Sequence, residues 1–448
     1  MTMTAIAGIA GSGKQIEVEQ MVNRLVHRGQ TETVIGEANN FTFGAAASRA
    51  QPHPIKNYPN RTELADYVSR GHFTRAVIRP EQIVLERDPL GLAPLYYGWT
   101  QDHQLCFASE VKALLPLTRI IYALPPGSLF DGTVTRAYFQ LEKQPELPDS
   151  PEDIAKELRL RLQNATFQCI NGGEVGSWLS GGLDSSSIAA LARPQVKRLH
   201  TFAAGLPGAP DLDFAREVAS FIQAEHHEVV ITFEEARAIL PEVIYHLESF
   251  DPLLVRSTIT NYLVAKRASE YVPAVFSGEG GDELFAGYEY LKSIPPDHLA
   301  DELIDITLRL HNTALQRVDR SASAYGTVAH VVFLDPDVVD FALKIPTAYK
   351  IYAGTEKWIL RRAMEGLLPE SVLQRGKAKF WEGAGIQNLL AQYADEKISD
   401  GDFIREQILP NGWSLATKEE LLYYRIFQDQ FGILDNLDWM GRTKATPT

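Results

Sequence analysis

The sequence predicts an α/β protein of two domains, on the basis of two patterns and the break between them. Up to about Pro145 the chain consists of short apolar runs punctuated by glycine, proline and asparagine, which is typical of hairpin-rich antiparallel sheets. Beyond residue 150 apolar strands alternate with helical segments, which predicts a parallel sheet flanked by helices. Between them, QLEKQPELPDSPED has three prolines and mixed charge, as a linker does. We therefore expect domains at residues 1–145 and 150–448, the second ending in a helical region after about Asp301.

Composition narrows the class of protein. Among 448 residues, 45% are hydrophobic and 22% charged, as in ordinary globular domains. A net charge of −14 argues against a nucleic-acid or anionic-membrane surface. No apolar run approaches the roughly 20 residues of a membrane span, and we recognise no signal peptide. Cys106 and Cys169 are too few for a disulfide framework or a structural zinc site, so we expect a cytoplasmic protein.

The first domain is predicted to contain short strands, beginning with the stretch GIAGSGKQ. Gly8 to Lys14 has the G-x-x-x-x-G-K spacing of a phosphate-binding P-loop. However, Gln15 stands where a P-loop carries a magnesium-binding hydroxyl, and no Walker-B strand follows at a suitable distance. We therefore expect a plain strand here. Later strands are predicted in FTFGAAASRA, HFTRAVIRP, QIVLERDP, APLYYGWT, QLCFASE and GSLFDGTVTRAYF.

The second domain is predicted to start with a helix near Ser150, where Pro151 and Glu152 favour a helix N-terminus. The helical segment PEDIAKELRLRLQNATFQCI is followed by the strand EVGSWLS. Two further helix-strand pairs follow, SSSIAALA with RLHTFAAG and DFAREVASFIQ with HHEVVIT. This alternation places the carboxyl ends of several strands at one edge of a parallel sheet.

The turn after the first of these strands, in WLSGGLDSSSIAAL, carries the candidate chemistry. Gly181 and Gly182 allow backbone amides to point toward one anion, and the helix N-terminus adds partial positive charge. Asp184 would repel phosphate by itself, but it suits a magnesium ion that bridges carboxylate and phosphate. The alternative is a glycine-rich turn with a capping aspartate. The predicted ATP- and pyrophosphate-binding residues are Ser180, Gly181, Gly182, Leu183, Asp184, Ser185, Ser186 and Gly278.

The segment SGGLDSS resembles the pyrophosphate loop of ATP pyrophosphatases. FSGEGGDELFAGY, EKWILRRAMEGLLPESVLQRGKAKFWEGAGI and LLYYRIFQDQFG resemble asparagine synthetase and its relatives, which include β-lactam synthetase, carbapenam synthetase and the lasso-peptide cyclases. The resemblance implies an adenine-nucleotide α-hydrolase-like parallel sheet with ATP and Mg²⁺ as ligands. It also implies that a substrate carboxylate attacks the α-phosphate of ATP, and that an amine displaces AMP from the acyl-adenylate.

The resemblance also implies roles for individual residues. Asp282 would be the second magnesium carboxylate beside Asp184. Glu279 occupies the position of the family's catalytic base, and Lys377 matches its catalytic lysine, with Lys379 as the alternative. Glu279 and Asp282 could instead interact with the N-terminal dipole of the following helix, and Lys377 could be a charge on the protein surface.

The substrate pocket is predicted less directly. Arg256, in LLVRST, follows the asparagine synthetase pattern and suits a substrate carboxylate. Val328 and His330 stand where the family has an acid and an arginine. We expect either that the pocket binds a different substrate, which His330 contacts, or that the two replacements compensate each other structurally.

The first domain resembles a class II glutamine amidotransferase, which implies an Ntn-hydrolase-like antiparallel β-sandwich with helices. Thr4 to Gly8 matches C-G-I-A-G, with Thr4 in place of the nucleophilic cysteine. Arg49 and HRG are retained, but N-G-E-I-Y-N is degraded to Ile55–Asn60 and the glutamine-holding loop is absent before Gly71. We expect a structural domain, with initiation at Met3 and a Thr4 nucleophile as the alternative.

We therefore expect an AMP- and pyrophosphate-forming ligase that adenylates a small amino-acid-like acid. Its amine would not derive from glutamine in this chain, and ring closure within one substrate, as in β-lactam synthetase, is one form of that reaction. The alternatives are an ammonia-dependent asparagine synthetase and a catalytically inactive ATP-binding scaffold. A tRNA-thiolating enzyme is disfavoured by the acidic charge and scarce cysteine. A homodimer is compatible with the sequence.

Overall fold

The computed structural model describes residues 4–29, 32–47, 54–80, 82–376 and 387–443. The strands are β1 Ala5–Ala10, β2 Glu32–Ala38, β3 Phe41–Ala47, β4 Ile55–Tyr58, β5 Arg61–Ser69, β6 His72–Arg79, β7 Gln82–Arg87, β8 Tyr96–Trp99, β9 Leu105–Ala108, β10 Ile121–Ala123, β11 Ser128–Phe130, β12 Thr135–Ala137, β13 Glu174–Trp178, β14 Arg198–Gly205, β15 Glu225–Val230, β16 Ala274–Ser277, β17 Val328–Val331, β18 Ile351–Tyr352 and β19 Thr355–Glu356.

The helices lie mainly in the second half of the chain. They are α1 Gln15–Asn23, α2 Val26–Gly29, α3 Pro151–Cys169, α4 Leu183–Ala192, α5 Pro210–Phe221, α6 Phe233–Ala238, α7 Leu240–Leu247, α8 Pro252–Ser269, α9 Gly281–Phe285, α10 Pro296–Leu308, α11 Ala314–Ser323, α12 Pro336–Lys344, α13 Thr347–Lys350, α14 Trp358–Met364, α15 Glu370–Leu373, α16 Gln387–Lys397, α17 Asp400–Glu406 and α18 Lys418–Phe431. In the part of the chain that the structure describes, none of these helices is long and apolar enough to cross a membrane.

The N-terminal half consists of two six-stranded antiparallel sheets, in the orders β10-β8-β9-β1-β3-β2 and β12-β11-β7-β6-β5-β4. Their facing sides share a hydrophobic core, since strand residues alternate between the two faces of a sheet. Ile6, Phe43 and Phe107 from the first sheet and Leu64 and Leu85 from the second belong to that core. The predicted antiparallel sandwich is therefore confirmed.

The second half is built on the parallel sheet β15-β14-β13-β16-β17. The predicted alternation of strands and helices is confirmed. Every residue of β13 and β14 except the first of each strand is buried, as expected when helices cover both faces of a sheet. The chain runs outward from β13 through β14 to β15, then returns to the other side of β13 for β16 and β17. The strand order thus reverses between β13 and β16, where ligands bind in open α/β sheets.

The predicted linker has no regular secondary structure between residues 138 and 150, and α3 begins at Pro151. The Ser150 hydroxyl accepts a hydrogen bond from the Asp153 amide at 3.2 Å, so Ser150 caps α3 as the sequence predicts.

Candidate active site

The turn between β13 and α4 is shaped by two glycines. Gly181 has φ +70°, and a Cβ there would lie 2.6 Å from the backbone nitrogen of Ala215, so only glycine fits without rearrangement. Gly182 precedes α4 without a side-chain cap, which leaves the first amides of α4 available to an anion. The hydroxyls of Ser180 and Ser185 lie 3.0 Å apart and hold the turn in shape.

A second turn, between β16 and α9, packs directly against the first. A Cβ at Gly278 would lie 2.6 Å from the Ser185 nitrogen, and one at Gly281 would lie 2.6 Å from the Asp184 carboxyl carbon. The absence of these side chains lets the two turns approach closely at the point where the strand order reverses. The structure thus brings SGGLDSS and SGEGGDE together, although they are about a hundred residues apart in sequence.

The two predicted magnesium carboxylates share one cation. The ammonium of Lys357 lies 2.5 Å from Asp184 Oδ2 and 2.6 Å from Asp282 Oδ1. Lys357 is 3% exposed and adopts φ +54°, an uncommon backbone conformation for a residue with a side chain. Two carboxylates close enough to share a cation form an oxygen donor set that fits Mg²⁺. Sequence reasoning did not single out Lys357, although it lies in the segment EKWILRR.

The turns open into a cleft. Five of the predicted phosphate-binding residues line it, namely Ser180, Gly182, Leu183, Asp184 and Ser185. Gly181, Ser186 and Gly278 are not among the lining residues, and Ser186 is fully buried.

Three basic side chains line the same cleft, namely Lys357, Arg361 and Arg375. Arg361 pairs with Glu356 at 2.6 Å, and Arg375 pairs with Asp211 at 2.5 Å. These acids hold the guanidinium groups in place at the cleft wall. Such a wall suits a polyphosphate, which guanidinium and ammonium groups bind through charge-assisted hydrogen bonds. Sequence reasoning missed both arginines.

The position of the predicted base is also strongly charged. Glu279 forms an ion pair with Arg317 of α11, a contact that the sequence did not predict. Glu283, at the neighbouring turn of α9, accepts a hydrogen bond from the Tyr288 hydroxyl. Burial, together with the nearby negative charges of Asp282 and Glu279, raises the pKa of Glu283 to about 7. Acidic groups are therefore concentrated at the turn between β16 and α9.

The remaining predicted site residues lie elsewhere or outside the description. Arg256 forms a bidentate ion pair with Glu419 of α18, so binding a substrate carboxylate would require it to leave that partner. His330 is fully buried in β17, does not line the cleft, and has its pKa lowered to about 3 by burial. Lys377 and Lys379 lie outside the described residues, as does Arg49.

The position that the family's nucleophilic cysteine would occupy lies in the protein interior. Thr4 is 1% exposed, and its hydroxyl donates a hydrogen bond to Asp66 at 2.7 Å. The Arg28 guanidinium donates to the Thr4 carbonyl oxygen at 3.2 Å. Burial raises the pKa of Asp66, although Arg28 opposes this change. In the described structure, a small molecule would have to displace these contacts to reach Thr4.

These contacts belong to a larger buried group, the interdomain charge cluster, which joins the two halves of the chain. Arg28 lies 2.8 Å from Asp319 and 2.9 Å from Glu110, while Arg320 lies 2.9 Å from Glu248. Each member is less than 3% exposed at its side chain. The members are Arg28, Asp66, Glu110 and Lys112 from the first half and Glu248, Asp319 and Arg320 from the second.

The alternative P-loop at the start of the chain lacks the geometry for phosphate. β1 is an antiparallel strand between β3 and β9. The Gly13 amide donates to the Glu37 carboxylate at 3.1 Å, which places a negative charge where a P-loop would hold a phosphate. The predicted strand is therefore confirmed for Gly8 to Ala10, whereas a turn follows from Gly11 to Lys14 and α1 begins at Gln15.

Comparisons with known proteins agree along most of the chain. A family model for asparagine synthase matches residues 157–305 and 295–432, and one for a glutamine amidotransferase domain matches residues 60–116. Asparagine synthetase B (glutamine-hydrolyzing) of Escherichia coli (strain K12) is 34% identical over 390 residues, or 81% of this chain and 70% of the relative. A probable asparagine synthetase (glutamine-hydrolyzing) of Schizosaccharomyces pombe is 35% identical over 394 residues, or 78% of this chain and 70% of the relative. Among solved structures, NMN synthetase from Francisella tularensis aligns over 67% of this chain and 99% of that chain, at 14% identity and a TM-score of 0.30.

Proposed function

Because the chain belongs to the asparagine synthetase family, we infer that it is an ATP-dependent ligase that forms amide bonds. We propose further that it forms AMP and pyrophosphate, through adenylation of a carboxylate on a small amino-acid-like substrate. The observation that carries this proposal is the convergence of Asp184 and Asp282 on the ammonium of Lys357, beside the two glycine turns and a cleft that Arg361 and Arg375 also line. This arrangement suits a metal-bound pyrophosphate as the leaving group.

In the proposed reaction the phosphates of ATP lie along the turn after β13. The amides of α4 and the side chains of Arg361 and Arg375 bind the β- and γ-phosphates. A substrate carboxylate oxygen bonds to the α-phosphorus while the bond from that phosphorus to pyrophosphate breaks. Asp184 and Asp282 would hold Mg²⁺, which supplies neutralising charge to the pyrophosphate when bound. Lys357 would then leave the two carboxylates and bind phosphate oxygen.

In the second half of the reaction an amine nitrogen bonds to the acyl carbon, and the bond to AMP breaks. Glu279 is proposed to take the proton that the amine loses. Its carboxylate forms an ion pair with Arg317, which fixes the position of the group. Arg317 then acts as a positioning residue for Glu279. Lys377 is proposed to stabilise the charge that develops on the acyl oxygen.

The proposed source of the amine is argued from the first half of the chain. Thr4 carries no thiol and is enclosed by Asp66 and Arg28. We therefore propose that the amine comes from the substrate itself or from an external amine, and that the N-terminal domain is structural. An ammonia-dependent asparagine synthetase is the second candidate, because the relatives are asparagine synthetases and Glu279 and Arg256 follow their pattern.

The test is an ATP-consumption assay with Mg²⁺, run across candidate amino acids with and without ammonium, with products identified by mass spectrometry. We expect AMP and pyrophosphate with one acid, and loss of both in D184N. The matched control is D213N, because Asp213 is an exposed aspartate of α5 that pairs with Arg216. A product lighter by one water without ammonium identifies ring closure, and a product only with ammonium identifies the second candidate. ADP as product, or ATP binding without turnover for every acid, would overturn the proposal.

A further inference from the structure

Two histidines and a glutamate meet at the edge of the parallel sheet opposite the cleft. His200 is the third residue of β14, while Glu225 and His227 are the first and third residues of β15. The strand register pairs His200 with Glu225 and Phe202 with His227, so these side chains lie on the same face of the sheet. They lie at the amino ends of the strands, whereas the cleft lies at the carboxyl ends.

The distances within this group suit metal coordination. Nδ1 of His200 lies 3.1 Å from Nε2 of His227, and Oε1 of Glu225 lies 3.9 Å from each of these nitrogens. A tetrahedral zinc ion separates its ligand atoms by about 3.4 Å, given bonds of about 2.0–2.2 Å. Shifts of a few tenths of an ångström would therefore bring all three atoms into one coordination sphere.

We propose that His200, His227 and Glu225 bind a divalent transition-metal ion of the zinc type, with water as the fourth ligand. A hydrogen bond between the two rings explains their 3.1 Å separation but not the carboxylate, which is too far from either nitrogen to form a hydrogen bond. Imidazole and carboxylate ligands are those that zinc uses in sites with an open position.

A second carboxylate is placed to orient His200. Oε2 of Glu174 lies 3.7 Å from Nε2 of His200, on the side of the ring away from Glu225 and His227. The His200 side chain is 3% exposed, and this nitrogen is buried without a hydrogen-bond partner in the structure as described. A small movement of Glu174 would complete a carboxylate–histidine–metal arrangement, which fixes the ring so that Nδ1 faces the metal. Glu174 is therefore a positioning residue.

The nearby Arg198 guanidinium does not contact the proposed ligand atoms. Arg198 lies 3.6 Å from Oε1 of Glu174 and 3.6 Å from Oε2 of Glu225, which are the carboxylate oxygens that do not face the histidines. The Tyr271 ring covers one side of the His227 ring, with 4.2 Å between the two ring centroids, and the Arg267 guanidinium lies 4.9 Å from the Tyr271 centroid. Glu225 is 47% exposed, so an ion can enter from solvent past this residue.

The ion would connect β15, an edge strand, to β14. Zinc binding at this site should therefore stabilise the fold without requiring ATP, because a ligand that binds only the native state favours that state. The site is separate from the proposed magnesium carboxylates, so its test does not depend on the ligase reaction.

The experiment is a zinc titration of tag-free full-length protein in excess Mg²⁺, read by calorimetry and by the Tm. The variant is H227Q, and the matched control is H226Q. His226 is adjacent, has 13% side-chain exposure against 12% for His227, and faces the other side of the sheet, where Nδ1 lies 2.9 Å from the Thr201 hydroxyl. We expect one zinc equivalent and a zinc-dependent rise in Tm in the wild type and H226Q, with both lost in H227Q.

Two further variants keep the test decisive if H227Q folds poorly. E225Q changes a half-exposed side chain and should also lose the zinc equivalent. E174Q should retain the stoichiometry but bind zinc about 10- to 100-fold more weakly, as expected for a residue that orients a ligand. Cobalt substitution should give the intense visible bands of a tetrahedral site in the wild type but not in E225Q. Equal zinc binding by the wild type, H227Q and E225Q, or equal loss in H226Q, would overturn the proposal.

Discussion

Replacing Asp319 with asparagine should destabilise the protein substantially, because this carboxylate is the main counter-ion of a buried arginine. Arg28 is 0% exposed and meets Asp319 through two contacts, at 2.8 and 2.9 Å. The other two carboxylates near Arg28 neutralise its charge less well. Glu110 is shared with His27, Lys112 and Arg320, and Asp66 lies 3.5 Å away with a raised pKa.

The expected cost of D319N follows from this geometry. Removing one partner of a buried ion pair costs about 3–5 kcal/mol, because the remaining charge stays buried and loses its main counter-ion. A chain of 448 residues has an unfolding entropy of roughly 0.9 kcal/mol/K, so the Tm should fall by about 3–5 °C.

Differential scanning calorimetry measures this shift, with D340N as the control. Asp340 pairs with Lys344 at 2.7 Å but is 59% exposed, and an exposed pair contributes only about 0–1 kcal/mol. A D319N Tm within the range of D340N would refute the view that the interdomain charge cluster holds the two halves together.

Three other predictions concern the site and the buried charges. K357M should slow ATP–pyrophosphate exchange by about 10²–10³-fold, the effect of losing one group that stabilises developing charge. The control K344M should leave the exchange rate unchanged. An unchanged rate in K357M would show that Lys357 takes no part in the proposed reaction. Burial lowers the pKa of Lys350 to about 7, so the folded state binds fewer protons than the unfolded state above pH 7, and stability should rise by about 2 kcal/mol from pH 7 to 9. Urea unfolding should give no such rise in K350M, and an equal rise in both proteins would contradict the assignment. Glutamine should yield no glutamate in a coupled assay, and T4A should leave amide formation unchanged; glutamate release that T4A abolishes would restore the N-terminal domain as a glutaminase.

The sequence was sufficient where the determinants are local. The strand EVGSW, the glycine turn and the helix that follows lie within about twenty residues, so periodicity and turn chemistry predict their order. The contact between the two glycine turns was also predictable, because both follow strands of one parallel sheet. Resemblance to a family was needed to interpret SGEGGDE, since its acidic residues alone are compatible with helix-dipole interactions.

Other parts of the site depend on tertiary contacts that no local pattern contains. Lys357 reaches Asp184 across 173 positions of sequence, and Arg375 reaches Asp211 across 164. Arg256 was predicted to bind substrate because its own segment suggested it, whereas its partner Glu419 lies 163 positions away. His330 stands in a strand whose burial on both sides removes it from the cleft. The roles of charged residues are the hardest to predict from sequence, because each can form an ion pair with a residue anywhere in the chain.

The charged contact between the halves bears on how such a protein can evolve. If the first half no longer hydrolyses glutamine, selection for that reaction no longer preserves it. Yet Asp319 and Glu248 would lose Arg28 and Lys112 if the first half were deleted, and Arg320 alone would face both acids. A gene shortened to the synthetase half would therefore encode a destabilised protein unless several interface residues changed together. A domain can thus be retained after it loses its catalytic activity, because the stability of the neighbouring domain depends on its charged residues.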